Sequence, residues 1–162
     1  MLHGMDPAHP ISRRGFLAAT AAMATSGLRA GASPLTFGVV ADVQYADLEP
    51  SGSRHYRASL NKLREAATEF NRVGIAFVLD LGDTIDRDAR SFAPVLDPFR
   101  TIEAPVHHVL GNHDFDVADD LKAHVPTRLG RGDRWASFAK GGFRFVLLDG
   151  TELHPLRQPG RA

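Results

Sequence analysis

The chain has 162 residues, carries 19 Lys and Arg against 19 Asp and Glu, and contains no cysteine. Balanced charge argues against a nucleic-acid partner, and the lack of thiols excludes disulfides, thiolate metal sites and cysteine nucleophiles. Any catalysis must therefore rest on oxygen and nitrogen groups, in a chain long enough for one small domain with a real core.

Taken from the N-terminus, the first feature is a processing segment. Ser12-Arg13-Arg14-Gly15-Phe16-Leu17 sets paired arginines before a modest apolar run that ends at Ala30-Gly31-Ala32. The layout reads as a twin-arginine export signal over residues 1–32, cleaved after Ala32. It implies the Tat export machinery as a partner and a periplasmic or secreted protein. The run is too short and too rich in Ala and Thr to cross a bilayer about 30 Å thick, so no permanent membrane anchor is expected.

The mature domain, 33–150, opens with an apolar, β-branched run at 35–41, which fits a strand buried on both faces. From 53 to 72, Tyr56, Leu60, Leu63, Ala67 and Phe70 recur at steps of four and three, one stripe along a helix, and Gly74 fits its stop. Residues 75–80 repeat the strand signature. Strand, helix, strand predicts a parallel sheet. A helix over 91–100 is indicated by Phe92, Val95, Leu96 and Phe99, against the presence of Pro94 and Pro98. Residues 106–110 form the third strand. Two extended segments, 134–139 and 143–148, are joined by Lys140-Gly141-Gly142, whose glycines suit a tight hairpin. The last stretch, 151–162, lacks apolar periodicity and reads as an unstructured tail.

In an open α/β sheet, residues just beyond parallel strands share one crevice although distant in sequence. Polar clusters stand at all three such places: Asp42 and Gln44, then Gly82-Asp83, then Gly111-Asn112-His113-Asp114. If strand geometry persists, the two-residue spacing of Asp42 and Gln44 aims both side chains to one face, where a single cation could take both. Each cluster alone is an ordinary turn. Together they end every strand in a metal-capable side chain, which turn chemistry does not explain. The donors are mainly hard oxygens, suited to Mn²⁺ or Mg²⁺ ahead of softer ions. His107 and His108 share a strand and must point to opposite faces, most simply as satisfied structural histidines. His55, His124 and His154 have no second ligand at useful spacing and read as surface residues.

Asp-x-Gln, Gly-Asp and Gly-Asn-His-Asp in this order resemble the calcineurin-like metallophosphoesterase family. Residues 37–47 and 56–71, and Val106-His107-His108, are similar in particular to its manganese-dependent ADP-ribose/CDP-alcohol diphosphatases. The resemblance implies an α/β fold, the N-terminal half of a four-layer α/β/β/α sandwich. It implies two divalent metal ions, Mn²⁺ foremost with Mg²⁺, Fe or Zn²⁺ as alternatives. By position, Asp42 and Gln44 would hold the first, Asp83 would bridge both and Asn112 would hold the second. His113 would then be the general acid beside the leaving group, with Asp114 fixing its ring. The implied substrate is a phosphate ester or a nucleoside-diphosphate-linked small molecule such as ADP-ribose or a CDP-alcohol.

Members of the family add later histidines, including a Gly-His-x-His motif, and none of the remaining histidines here stands in such a context. Three readings follow: an enzyme completed by another polypeptide, an inactive fragment, or a non-catalytic phosphate-binding module. The ligand count favours the fragment, with one apolar sheet face left uncovered.

Overall fold

Three short strands, β1 (Gly38–Val40), β2 (Val78–Asp80) and β3 (Val106–His108), pair in parallel in the order β1-β2-β3, with Val39 opposite Leu79 and Leu79 opposite His107. These assignments come from a computed structural model that describes residues 34–132, 135–151 and 154. The export segment, 1–32, and most of the expected tail, 151–162, lie outside the described residues. Thr151 is described and is held: its N–H and hydroxyl both donate to Asp149 Oδ1, at 2.9 and 2.8 Å. Among the described residues no helix is long and apolar enough to cross a membrane.

Parallel neighbours need a crossover, and two helices supply it. Helix α1 (Ala58–Val73) buries Leu63 and Ala67, with Leu60 and Phe70 packed partly against the core, so the stripe read from the sequence is its inner face. It begins five residues later than the periodicity suggests. Ser51 and Arg54 exchange both backbone hydrogen bonds at 3.0 Å, closing a tight turn before the helix can start. Gly74 ends it at φ 69°, and its N–H returns to Phe70 O, the left-handed stop that glycine adopts most cheaply.

Helix α2 (Phe92–Arg100) forms despite both prolines. Pro94 lies in the first turn, where N–H groups have no intrahelical acceptor, so it removes no bond, and Pro98 falls in the last turn. Two single-turn helices, α3 (Asp119–Lys122) and α4 (Val125–Arg128), follow β3. The antiparallel hairpin of β4 (Trp135–Lys140) and β5 (Phe143–Leu148) turns through Gly141 and Gly142 at φ 59° and 82°. Positive φ at both loop residues matches the twist of the flanking strands.

Alternation along the strands sorts side chains to two faces of the sheet. Val78 joins Val95, Phe99 and Ile85 on the helix side. Phe77 goes the other way and is buried beneath the hairpin, its ring 4.7 Å from Phe145, 5.0 Å from Phe138 and 4.8 Å from Phe37. The hairpin thus covers the β2 and β3 part of the face expected to be bare, while Phe37 and Val39 on the β1 side stay 39% and 51% exposed. The hairpin's own outer face is exposed as well, where Trp135 stands opposite Leu148 and Val146 opposite Ser137. Trp135, Val146 and Leu148 are all more than half exposed. The described layers are helix, parallel sheet and hairpin.

The paired histidines do point apart. His107 stacks on Phe138 at 3.8 Å under the hairpin, while His108 packs edge-on against Phe99 and places Nδ1 2.7 Å from the buried Asp80 Oδ2. Both are structural. Thr84 also donates to Asp80 Oδ2, at 2.8 Å, so this trio forms a floor under the strand ends.

Candidate metal centre

Beyond Val40 the regular ladder gives way to loops laced by single backbone bonds. Leu81 N–H donates to Val40 O at 2.8 Å, Asp42 N–H to Gly82 O at 3.2 Å and Gln44 N–H to Asp83 O at 2.9 Å. Tyr45 N–H then donates to Thr84 O at 3.2 Å, and Asp86 N–H returns to Tyr45 O at 2.9 Å. The loop after β3 joins through His113 N–H, which donates to Asp83 Oδ1 at 2.8 Å. Asp42, Gln44, Asp83, Asn112 and His113 are therefore brought to one edge of the sheet by bonds between their own loops.

The route differs from simple alternation. Asp42, Gln44 and Asp83 all sit at positive φ, 52°, 44° and 53°, so the strand has already ended and each side chain is aimed by a left-handed step. Arg87 and Asp88 share that conformation at 60°. Left-handed backbone costs an L-residue of order 1 kcal/mol, and such residues gather where function over-determines the geometry. Gly111 is forced by proximity: a Cβ there would lie 2.1 Å from Asp83 N and 2.3 Å from its Oδ1. No other residue allows the two loops to touch.

His113 and Asp114 part company. They occupy a 3₁₀ turn, His113–Phe115, in which successive side chains diverge by a third of a turn. Asp114 points inward and is fully buried; Oδ1 accepts from Thr84 N–H at 2.8 Å and Ile85 N–H at 3.3 Å, and Oδ2 from Gly111 N–H at 2.9 Å. Burial pushes its carboxyl up to about 7 while the backbone donors pull the other way. It clamps loops and does not meet the imidazole. The ring's acid partner is Asp86: its Oδ1 lies 3.2 Å from His113 Nδ1 and its Oδ2 3.0 Å from Arg54 Nη1. The expectation that Asp114 orients the ring is thereby corrected. The sequence signal for Asp86 is an acid three residues past Asp83, in Gly82-Asp83-Thr84-Ile85-Asp86-Arg87.

Asp86, His113 and Asp116 also bring one ligand atom each within 4.8 Å of one another. With Asp86 already engaged on both oxygens, that group suits an acid–base pair more than a cation. The metal-type donors are Asp42, Gln44, Asp83 and Asn112: two carboxylates and two side-chain amide oxygens at the crevice edge, the first three on left-handed backbone and Asn112 on ordinary helical backbone. Their chemistry fits hard divalent cations of the Mn²⁺ and Mg²⁺ class.

A family model for calcineurin-like phosphoesterases matches residues 35–158, and the chain belongs to that family. Among characterised proteins it is similar to the manganese-dependent ADP-ribose/CDP-alcohol diphosphatases of Homo sapiens, 34% identical over 155 residues, and Danio rerio, 41% identical over 147. The matches cover 75% and 73% of this chain but 45% of each relative, so the chain spans a little under half their length. The crystal structure of a dimetal phosphatase from Danio rerio superposes with a TM-score of 0.65 at 31% identity, covering 79% of this chain and 48% of that one.

Proposed function

We propose that this protein is a metal-dependent phosphoesterase acting on the P–O–P bond of a nucleoside-diphosphate-linked small molecule, of the ADP-ribose or CDP-alcohol type. The observation that carries the reading is the convergence of Asp42, Gln44, Asp83 and Asn112 at one sheet edge beside a His113–Asp86 pair. The relatives are named as manganese-dependent diphosphatases of ADP-ribose and CDP-alcohols. Asp42 and Gln44 would hold one cation, Asn112 another, and Asp83 both. A bound pair supplies Lewis-acid stabilisation of the phosphoryl charge.

The chain's own residues account for the proton. With Nδ1 of His113 turned to Asp86, Nε2 is the ring atom left to donate to the departing oxygen. The Asp86 carboxylate holds the ring in that orientation, as such partners do. Purified chain assayed with Mn²⁺ against ADP-ribose and an aryl phosphodiester tests the proposal. Asp86→Asn is expected to slow an alkyl phosphodiester, with its poor alkoxide leaving group, by about tenfold or more and the aryl ester by less than about threefold. Equal losses would remove the acid role from His113. Mn²⁺ binding without any turnover would support a phosphate-binding module instead.

The proposal extends to location. Arg13-Arg14 ahead of the Ala- and Thr-rich run support export through the Tat machinery to the periplasm. Replacing both arginines by lysine is expected to retain the protein in the cytoplasmic fraction, and unchanged periplasmic recovery would refute this route.

A further inference from the structure

Arg54 is placed with care. The turn closed by Ser51 and Arg54 fixes its backbone through two 3.0 Å hydrogen bonds before α1 begins. Its Nη1 reaches 3.0 Å to Asp86 Oδ2, on the oxygen opposite the one that meets His113. Yet the side chain stays 45% exposed, and it lines a cleft of about 490 Å³ that includes Asp42, Gln44, Ser59 and Lys62. The cleft therefore starts at the first pair of metal-type donors and continues along a wall bearing Arg54 and Lys62.

A guanidinium carries five N–H donors in a planar fork, and its contacts to Asp86 and Tyr56 engage only part of it. The side chain keeps 45% of its surface exposed in the cleft that also holds Asp42 and Gln44, the donors of the proposed first cation. Asp86 offsets one positive charge, and Lys62 leaves the wall cationic. A phosphomonoester has nothing to put there. A P–O–P substrate has a second phosphoryl group one bridging oxygen away.

We propose that Arg54, seconded by Lys62, is a specificity-determining residue that grips the phosphoryl group adjacent to the one being hydrolysed, making the cleft selective for diphosphate linkages. This rests on the phosphoesterase reading above. A purely structural Arg54, serving only to neutralise Asp86, would affect every phosphate ligand alike.

Calorimetric titration of the full 162-residue chain in Mn²⁺ separates the cases, with AMP and the methylene-bridged, non-hydrolysable analogue of ADP-ribose as probes. Arg54→Gln is expected to weaken the diphosphate analogue about tenfold and AMP by less than about twofold, the loss of one charge-assisted contact. Lys62→Gln, on an exposed helix position, should weaken the analogue alone by about threefold. Should Arg54→Gln fail to fold, the ratio is read on Arg54→Lys, which keeps the charge opposite Asp86 without the fork and is expected to lose about threefold on the analogue only. Equal loss on both probes, or none, overturns the proposal. Wild-type chain that binds neither probe in Mn²⁺ would overturn the phosphoesterase reading beneath it, a result distinct from an unselective variant.

Discussion

Asp114→Ala is expected to lower the unfolding free energy by about 3 kcal/mol or more, because it leaves three backbone N–H groups without their acceptor. Those of Thr84 and Ile85 belong to the loop after β2, and that of Gly111 to the loop after β3. The methyl group that replaces the carboxylate cannot accept, and the site is too buried for water to substitute freely. Asp114→Asn should lose roughly half as much, since its remaining oxygen can still serve the Thr84 and Ile85 pair while its NH₂ faces the Gly111 N–H. Urea unfolding followed by circular dichroism measures both. An alanine variant within about 1 kcal/mol of the parent would mean that the loops are held by other contacts.

Gly111→Ala should be comparably damaging, by a different cause. The added Cβ would sit 2.1 Å from Asp83 N, 2.3 Å from its Oδ1 and 2.9 Å from its Cα, and backbone has nowhere to go. The loops must separate, which breaks the bond from His113 N–H to Asp83 Oδ1 and moves Asn112 away from Asp83. Overpacking of this severity costs about 3 kcal/mol, and Mn²⁺ affinity should fall by about tenfold or more as the donor set opens. Gly132→Ala serves as the control, because a Cβ there meets nothing within 4 Å and no positive φ is required. Calorimetric Mn²⁺ titration beside unfolding curves decides the matter. Parent-like metal affinity in Gly111→Ala would refute the view that contact between these loops sets the ligand geometry.

Much of this arrangement was readable beforehand, for identifiable reasons. The strands announced themselves through apolar, β-branched runs, and α1 through its stripe and Gly74, because burial and periodicity are properties of single segments. The hairpin was visible in Gly141-Gly142. Its docking was not, since nothing local to residues 143–148 says that Phe145 will lie on Phe77, and that contact covers the middle of the second sheet face. Asp42, Gln44, Asp83, Asn112 and His113 were singled out by their places at strand ends, and the structure brings the loops that carry them to one edge of the sheet. Their presentation was not readable, because left-handed φ at Asp42, Gln44 and Asp83 arises from bonds between loops distant in sequence. Ring orientation was assigned to Asp114, and Asp86 was passed over, for a related reason. Neighbouring residues read as partners in a sequence, whereas a 3₁₀ turn sends them in different directions.

The outer face of the hairpin carries an optical consequence. Trp135 is the sole tryptophan of the chain, and at 62% exposure its indole is already largely in water. Its emission in the folded protein should therefore sit close to that of the denatured chain, leaving fluorescence nearly blind to loss of the aromatic layer beneath. The same placement makes it a sensitive reporter of the opposite event. Any polypeptide laid over Trp135, Val146 and Leu148 would take the indole out of water and move its emission to shorter wavelength, so the apolar patch carries its own dye.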